Sequence, residues 1–329
     1  MNIHSLKKQM INTRALTIIS NEPDEILAKT HKNYLFDLSY LGVINLNGEK
    51  SVDFLQGQLT SDLNQVSDIQ MTQGAQCNLK GRILSLMDVI NWNGIKLILP
   101  ADLIDATVSS LGKTAQLSKV SLQQPSEYQV LGFYLQNPKD VIPDAIFLPQ
   151  DTHALSYTSN YCYYHLGKGF YIIVIHEDKV AEFIKPFTEL NQFKGSLDWH
   201  TIRLLHRQFE IYPESRGLFL PHRLGLHETN LISFNKGCYK GQEIIARTHY
   251  RATIKHELRI YSISSEQTIY SGQKLFRSNE ETEVGELIDY SWMGSNKYFI
   301  AVSILKEPFN AVRLEGNTRD TTLEPLEFK

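Results

Sequence analysis

Cysteine is scarce in this chain: three in 329 residues, at positions 77, 162 and 238. They lie far apart and form no C-x-x-C pair. That argues against a disulfide framework and for a reducing, cytoplasmic setting. It also argues against a self-contained metal or iron–sulfur site, which needs more thiolates or a Cys/His cluster. Charge of one sign is lacking too. Thirty-three Lys and Arg face 36 Asp and Glu, a net charge of −3. No global basic field is present to drive non-specific nucleic-acid binding. No apolar run reaches the ~18 residues of a membrane span. Met1 to Asn33 carries scattered lysines without a sustained apolar core, so a signal peptide is not expected there. Gly167-Lys168-Gly169 lacks the spacing of a phosphate loop and reads as turn chemistry.

What is present is enough chain for two or three domains, with ordinary apolar and charged fractions. Its most informative stretch is Asn235 to Thr248, N-K-G-C-Y-K-G-Q-E-I-I-A-R-T. Gly237 and Gly241 flank Cys238-Tyr239-Lys240 and permit backbone geometry closed to other residues. From Gln242 the pattern predicts a short helix with an apolar stripe. Cys238 is therefore expected in a tight loop ahead of a helix N-terminus, beside Lys236 and Lys240. Such a position makes a thiol accessible and reactive, and its backbone N–H groups suit an anion. The bland fate of a free cysteine, a small buried hydrophobe, is the expectation for Cys77 and Cys162.

Elsewhere the periodicity alternates between strand and helix. Met1 to Lys32 shows no clear period and reads as an extension or loosely held arm, with room for a short helix. Leu41 to Leu46 predicts a strand and Glu49 to Gln58 a helix. Gly74 to Asn78, Arg82 to Trp92 and Ile95 to Leu99 predict strands, the last two joined by an Asn93-Gly94 hairpin turn. A helix opens at Pro100-Ala101-Asp102. Gln123 to Ser126 reads as a linker. A second unit follows: a strand at Tyr128 to Leu135, a hairpin at Tyr161 to Ile175 and a helix at Glu177 to Leu190. Ser196 to Phe209 predicts an amphipathic helix capped by Ser196. Beyond Glu257, short alternating segments separated by turns predict a small all-β barrel or sandwich.

K-G-C-Y-x-G-Q-E followed by A-R resembles the signature of the YgfZ family of folate-binding proteins, relatives of the aminomethyltransferase (T-protein) of the glycine cleavage system. F-L-Q-G-Q-L-T-S-D (Phe54 to Asp62) and C-N-L-K-G (Cys77 to Gly81) are similar to the family's N-terminal region. The resemblance runs from about Tyr34 to the C-terminus. It implies an α+β, aminomethyltransferase-like folate-binding fold: two related ferredoxin-like α+β layers plus a C-terminal antiparallel β-barrel. On that reading, residues 1–32 are an extension, 33–122 with 193–250 the folate-binding α+β domain, 123–192 a second subdomain and 251–329 the barrel.

The resemblance implies tetrahydrofolate, or a one-carbon derivative, as cofactor. Its flat pterin and anionic tail need an apolar slot, convergent polar groups and a cation. Leu41, Lys80, Trp199, Lys236, Tyr239, Gln242, Glu243 and Arg247 are the candidates to hold it, with Arg247 able to pair a carboxylate in two-point geometry. Trp199 is equally a core residue by its type, and Lys80 a solvated charge. In the transferase relatives an acid follows the N-terminal hairpin turn; here that position is Leu86, with Asp88 two further on. Their R-I-E-x-G pattern reads Arg203-Leu204-Leu205-His206-Arg207. In place of the acid stands Cys238, the candidate reactive residue. The family is linked to the upkeep of iron–sulfur enzymes, including those that methylthiolate tRNA. The resemblance therefore implies a folate-binding accessory protein whose partners are iron–sulfur enzymes or assembly proteins. The alternative is a folate-dependent one-carbon transferase using Asp88 or Glu243 as base. A third reading is direct RNA binding through His249 to His256, against which stands an ordinary solvated charge run.

Overall fold

Turn residues and burial, more than helix propensity, set this architecture. The computed structural model describes residues 6–19, 31–143, 147–278 and 280–326. The chain enters with strands β1 (Lys7–Ile11) and β2 (Arg14–Ile18), an antiparallel hairpin closed at Asn12-Thr13. Asn12 takes φ 52°, a region asparagine tolerates. Ile11 and Leu16 are fully buried, and so nearly is Arg14. The reading of a loosely held arm is thus corrected for residues 6–19. They form a docked hairpin because tertiary contacts supply the burial that its mixed sequence does not advertise. The rest of that arm, residues 1–5 and 20–30, lies outside the described residues, where any helix in it would fall.

Next come β3 (Tyr34–Asp37), β4 (Leu41–Asn47), helix α1 (Ser51–Gln56), β5 (Thr72–Cys77), β6 (Ile83–Asn91), β7 (Ile95–Pro100), α2 (Ile104–Leu117) and β8 (Ser121–Gln123). Asn93 and Gly94, both at positive φ, turn β6 into β7. The strands form a five-stranded antiparallel sheet in the order β5-β6-β7-β4-β8. The expected linker at Gln123 to Ser126 therefore starts one residue late, since Gln123 pairs with Asn45.

The second unit is β9 (Tyr128–Tyr134), β10 (Leu155–Tyr157), β11 (Tyr161–Gly167), β12 (Phe170–His176), α3 (Glu177–Glu189) and β13 (Phe193–Lys194). Its six-stranded sheet has the order β10-β11-β12-β9-β3-β13, and only the β13–β3 pair is parallel. Phe170 to Ile175 are all buried, as a strand covered on both faces requires. β3 lies in this sheet and β4 in the other, so the short Leu38 to Tyr40 crossover ties the two layers together.

α4 (Ser196–Leu205) follows. Every residue in it except Arg203 is buried, so it is a central helix, not the amphipathic one expected. Its N-cap is Gly195, and Ser196 does not cap it. Instead the Ser196 hydroxyl accepts the Thr17 N–H at 2.8 Å and docks the N-terminal hairpin. A Cβ on Gly195 would lie 2.2 Å from the Thr17 carbonyl oxygen, so this close approach requires glycine. Asp198, in the first turn, is 8% exposed, and burial pushes its pKa up to about 6 against the pull of Lys194 and a Gly195 backbone hydrogen bond. A carboxyl raised from about 4 to about 6 favours the fold below pH 4 and weakens it as pH rises through 6. Asp198→Asn should therefore stabilise the protein at pH 7.5 by up to about 2 kcal/mol and leave it unchanged at pH 4. Denaturant titration at the two pH values checks this.

α5 (Gln242–Arg251) precedes the C-terminal strands β14 (His256–Ser264), β15 (Lys274–Arg277), β16 (Glu283–Trp292), β17 (Lys297–Leu305), β18 (Ala311–Leu314), β19 (Asp320–Thr322) and β20 (Glu324–Pro325). They form one antiparallel sheet, β19-β18-β15-β16-β17-β14-β20, curled into a half-barrel. One core joins the N-terminal hairpin, the six-stranded sheet, α4 and the half-barrel, and a second fills the space under the five-stranded sheet, α1 and α2. Only helices shorter than a membrane span occur among the described residues.

Candidate functional site

Where the two sheets, the end of α4 and the half-barrel meet, they leave a cavity of about 450 Å³. The five-stranded sheet and its β7–α2 connection contribute Leu41, Leu86, Leu99 and Leu103 to its wall; Leu226, Leu231 and Leu258 come from the other side. Polar side chains line it as well. Gln73 and Asp88 come from β5 and β6, Arg203, His206 and Arg207 from the end of α4, and Glu210 from the irregular chain beyond. Leu86 and Asp88 sit two apart on β6 and both line the cavity, as the period of a strand requires.

Asp88 is held by two donors: Gln73 Nε2 at 2.8 Å and the Tyr164 hydroxyl at 2.9 Å. Burial raises its pKa, and the two donors and Arg203 pull in the opposite direction. Glu210 behaves oppositely. Burial pushes it up, but Arg14, His200 and Arg203 outweigh burial and hold its pKa below the usual range. Arg14 reaches it from the N-terminal hairpin, and the same guanidinium grips Asp102 in a fork, Nη2 to Oδ1 at 2.8 Å and Nε to Oδ2 at 2.9 Å. The Tyr40 hydroxyl donates to Glu210 at 2.5 Å, and the Glu210 N–H donates to Asp289 at 3.0 Å. The cavity thus holds one carboxylate tuned toward its acid form and another locked in its ionised form.

The Cys238 loop is built as expected, ahead of the N-terminus of α5, and Cys238 is exposed while Cys77 and Cys162 are buried. Burial pushes the Cys77 thiol up to about 12, so Cys238 is the thiol accessible to chemistry. Lys236 anchors the loop. Its ammonium donates to three carbonyls, Gln56 (2.7 Å), Leu59 (2.9 Å) and Ser61 (2.6 Å). Burial lowers its pKa to about 8, with Asp62 pulling it back. Tyr239 is buried, with the Lys236 Nζ 5.2 Å from its ring centroid. Gly241, at φ 87°, packs against the β5–β6 turn: a Cβ there would lie 2.5 Å from the Asn78 carbonyl oxygen.

The structure separates the sequence-derived candidates. Leu41 lines the cavity. Trp199 does not. It is fully buried between Phe36 (ring centroids 5.3 Å) and Phe170 (5.4 Å), one turn below Arg203. Lys236, Tyr239 and Gln242 belong to the loop and the start of α5, and Lys80, Glu243 and Arg247 are exposed; none lines the cavity. Cys238 does not line it either, although Leu231, seven positions earlier in the chain, is in the wall. Glu210, Tyr40 and Arg14 escaped sequence reasoning. Glu210 follows the end of a helix in an aperiodic stretch, and its partners come from positions 14 and 40, so no local pattern marks it. No group of three or more His, Cys, Asp or Glu able to hold a metal occurs among the described residues.

The fold defines the class first. The glycine cleavage system aminomethyltransferase T of Bartonella henselae superposes over 98% of this chain and 93% of its own with a TM-score of 0.73, at 14% identity. No family model matches the chain. In sequence, the chain is similar to proteins named tRNA-modifying protein YgfZ. That of Colwellia psychrerythraea is 28% identical over 282 residues, 82% of this chain and 83% of that one. That of Yersinia enterocolitica is 26% identical over 274 residues, 82% and 80% of the two chains. The Hamiltonella defensa protein is 29% identical over 222 residues, 66% of each. The chain is thus similar in sequence to the YgfZ proteins and has the aminomethyltransferase fold.

Proposed function

We propose that this chain binds tetrahydrofolate in the cavity and acts as an accessory protein in iron–sulfur cluster assembly or repair, and through it in tRNA modification. The cavity carries the proposal. Its volume falls within the range of small-molecule sites. Apolar walls from both sides suit a flat ring system, and Asp88 and Gln73 offer hydrogen-bonding partners for pterin nitrogens. Arg203 and Arg207, with Lys168 nearby in the lining, suit an anionic tail. When bound, the folate would supply one-carbon chemistry. The chain's own residues would orient it, shield it from water and hold a proton at Asp88. The tRNA link draws support from the names of the relatives. The iron–sulfur link rests on the family resemblance and on one exposed thiol. One thiolate cannot hold a cluster alone, so Cys238 would act with ligands from a partner.

In cells lacking the native gene, Cys238→Ala should fail to restore methylthiolated tRNA, measured by mass spectrometry of nucleosides. Full restoration would remove the thiol from the account.

Asp88 favours a second reading, a folate-dependent one-carbon transferase. Burial raises the pKa of this carboxyl, and a carboxyl in a cavity wall is a group type able to move a proton in such a reaction. Folate-dependent release of a one-carbon unit from candidate amines, abolished in Asp88→Asn, would promote this reading over the accessory role.

A further inference from the structure

The ring of Phe234 stacks on His249, with centroids 3.9 Å apart and planes 20° apart, and Tyr250 meets the edge of His249 at 4.8 Å. Tyr250 is 67% exposed, unusual for a ring of that size. Arg247 and Arg251 stand one helical turn apart on the same exposed side, and Lys255 follows. None of these three cations makes an ion pair or side-chain hydrogen bond among the described residues. From Lys236 to His256 five Lys and Arg accompany a single acid, Glu243, in a chain whose net charge is −3. Behind the aromatic step lies His222, 7% exposed, its ring 6.2 Å from that of His249. Neither of its ring nitrogens has a partner among the described residues.

We propose that this face, the exposed His249 and Tyr250 backed by the half-buried Phe234 and flanked by Arg247, Arg251 and Lys255, binds an unpaired segment of RNA directly. Exposed aromatic faces accept stacked bases, and cations without internal partners accept phosphates. A local patch on an acidic chain suits a few splayed nucleotides, not a long duplex, which needs an extended basic field. None of these residues lines the cavity, so the inference stands apart from folate binding.

Fluorescence anisotropy of the full chain with a labelled oligouridine of about 12 nucleotides tests it. Saturable binding is expected, with log K falling against log salt at a slope near −2, from three phosphate contacts of about 0.7 each. Tyr250→Ala should weaken binding at least about fivefold through lost stacking. Arg251→Ala should flatten the slope by about 0.7. Both side chains are exposed, and thermal melts of the variants should match the parent. Absence of saturable binding at low salt, or unchanged affinity in Tyr250→Ala, would overturn the proposal. So would polyglutamate competing as well as RNA, which would make the face a basic docking surface for acidic protein.

Discussion

Replacing Arg14 with alanine should cost the fold about 3–5 kcal/mol, the scale of breaking a buried ion pair from one side. The guanidinium is the cation shared by Glu210 and Asp102, and its side chain is 2% exposed. It also donates to the Ile211 carbonyl at 2.8 Å and lies 4.4 Å from the Tyr212 ring centroid. Burial alone would lower its pKa, and Glu210 and Asp102 more than reverse that. Without it, the buried Glu210 keeps Arg203, 3.9 Å away, and His200 to answer its charge, and loses its closest cation. Arg14→Lys should rescue less than half of the loss, because an ammonium cannot reproduce the fork to Asp102 while also reaching Glu210. Urea unfolding of the three proteins measures this. A loss below about 1 kcal/mol in the alanine variant would mean that the hairpin is not fastened by this network.

The second large effect is expected at Gly241. Gly241→Ala places a Cβ 2.5 Å from a backbone oxygen and 3.0 Å from the Gly81 Cα, at φ 87°. The left-handed backbone alone costs an L-residue about 1–2 kcal/mol. The clash with main chain adds to it, because neither Asn78 nor Gly81 can swing aside as a flexible side chain can. A total of about 3 kcal/mol or more is expected, together with displacement of the Cys238 loop from the β5–β6 turn. Gly237→Ala is the internal comparison: a Cβ there meets nothing within 4 Å, and a change within about 0.5 kcal/mol is expected. The thiol-labelling rate of Cys238 should change in the first variant and not in the second. Equal behaviour of the two variants would show that Gly241 does not hold the loop.

The two glycines also show what the sequence revealed and what it left hidden. Their spacing around Cys238 announced a tight loop, and the loop is there. Which glycine is geometrically required depends on the β5–β6 turn, more than 150 positions away. The hairpin strands around Asn93-Gly94 and the helix after Pro100 were legible because turn chemistry and periodicity are local. The N-terminal hairpin was not. K-K-Q-M-I-N-T-R-A-L-T-I mixes charge with apolar residues, and its burial comes from α4 and the half-barrel: the Asn12 N–H donates to the Tyr290 hydroxyl at 2.7 Å, and Ser271 donates to Asn12. Trp199 fitted either a core or a pterin wall by type alone. Its full burial against Phe36 and Phe170, outside the cavity wall, assigns it to the core. The acids were the reverse case. Asp88 is marked in sequence by its two-residue offset from Leu86, whereas Glu210 owes its place to residues gathered from positions 14, 40, 203 and 289. Long-range assembly of this kind leaves no spacing to read.

Folate binding is proposed for the cavity bounded by Leu41, Leu86, Asp88 and Arg203. A crystal structure of the protein grown with tetrahydrofolate tests that most directly. Ligand density inside this cavity, in contact with Asp88 and Arg203, is the expected result. A saturated crystal with the folate lying elsewhere, or with none bound, would contradict it.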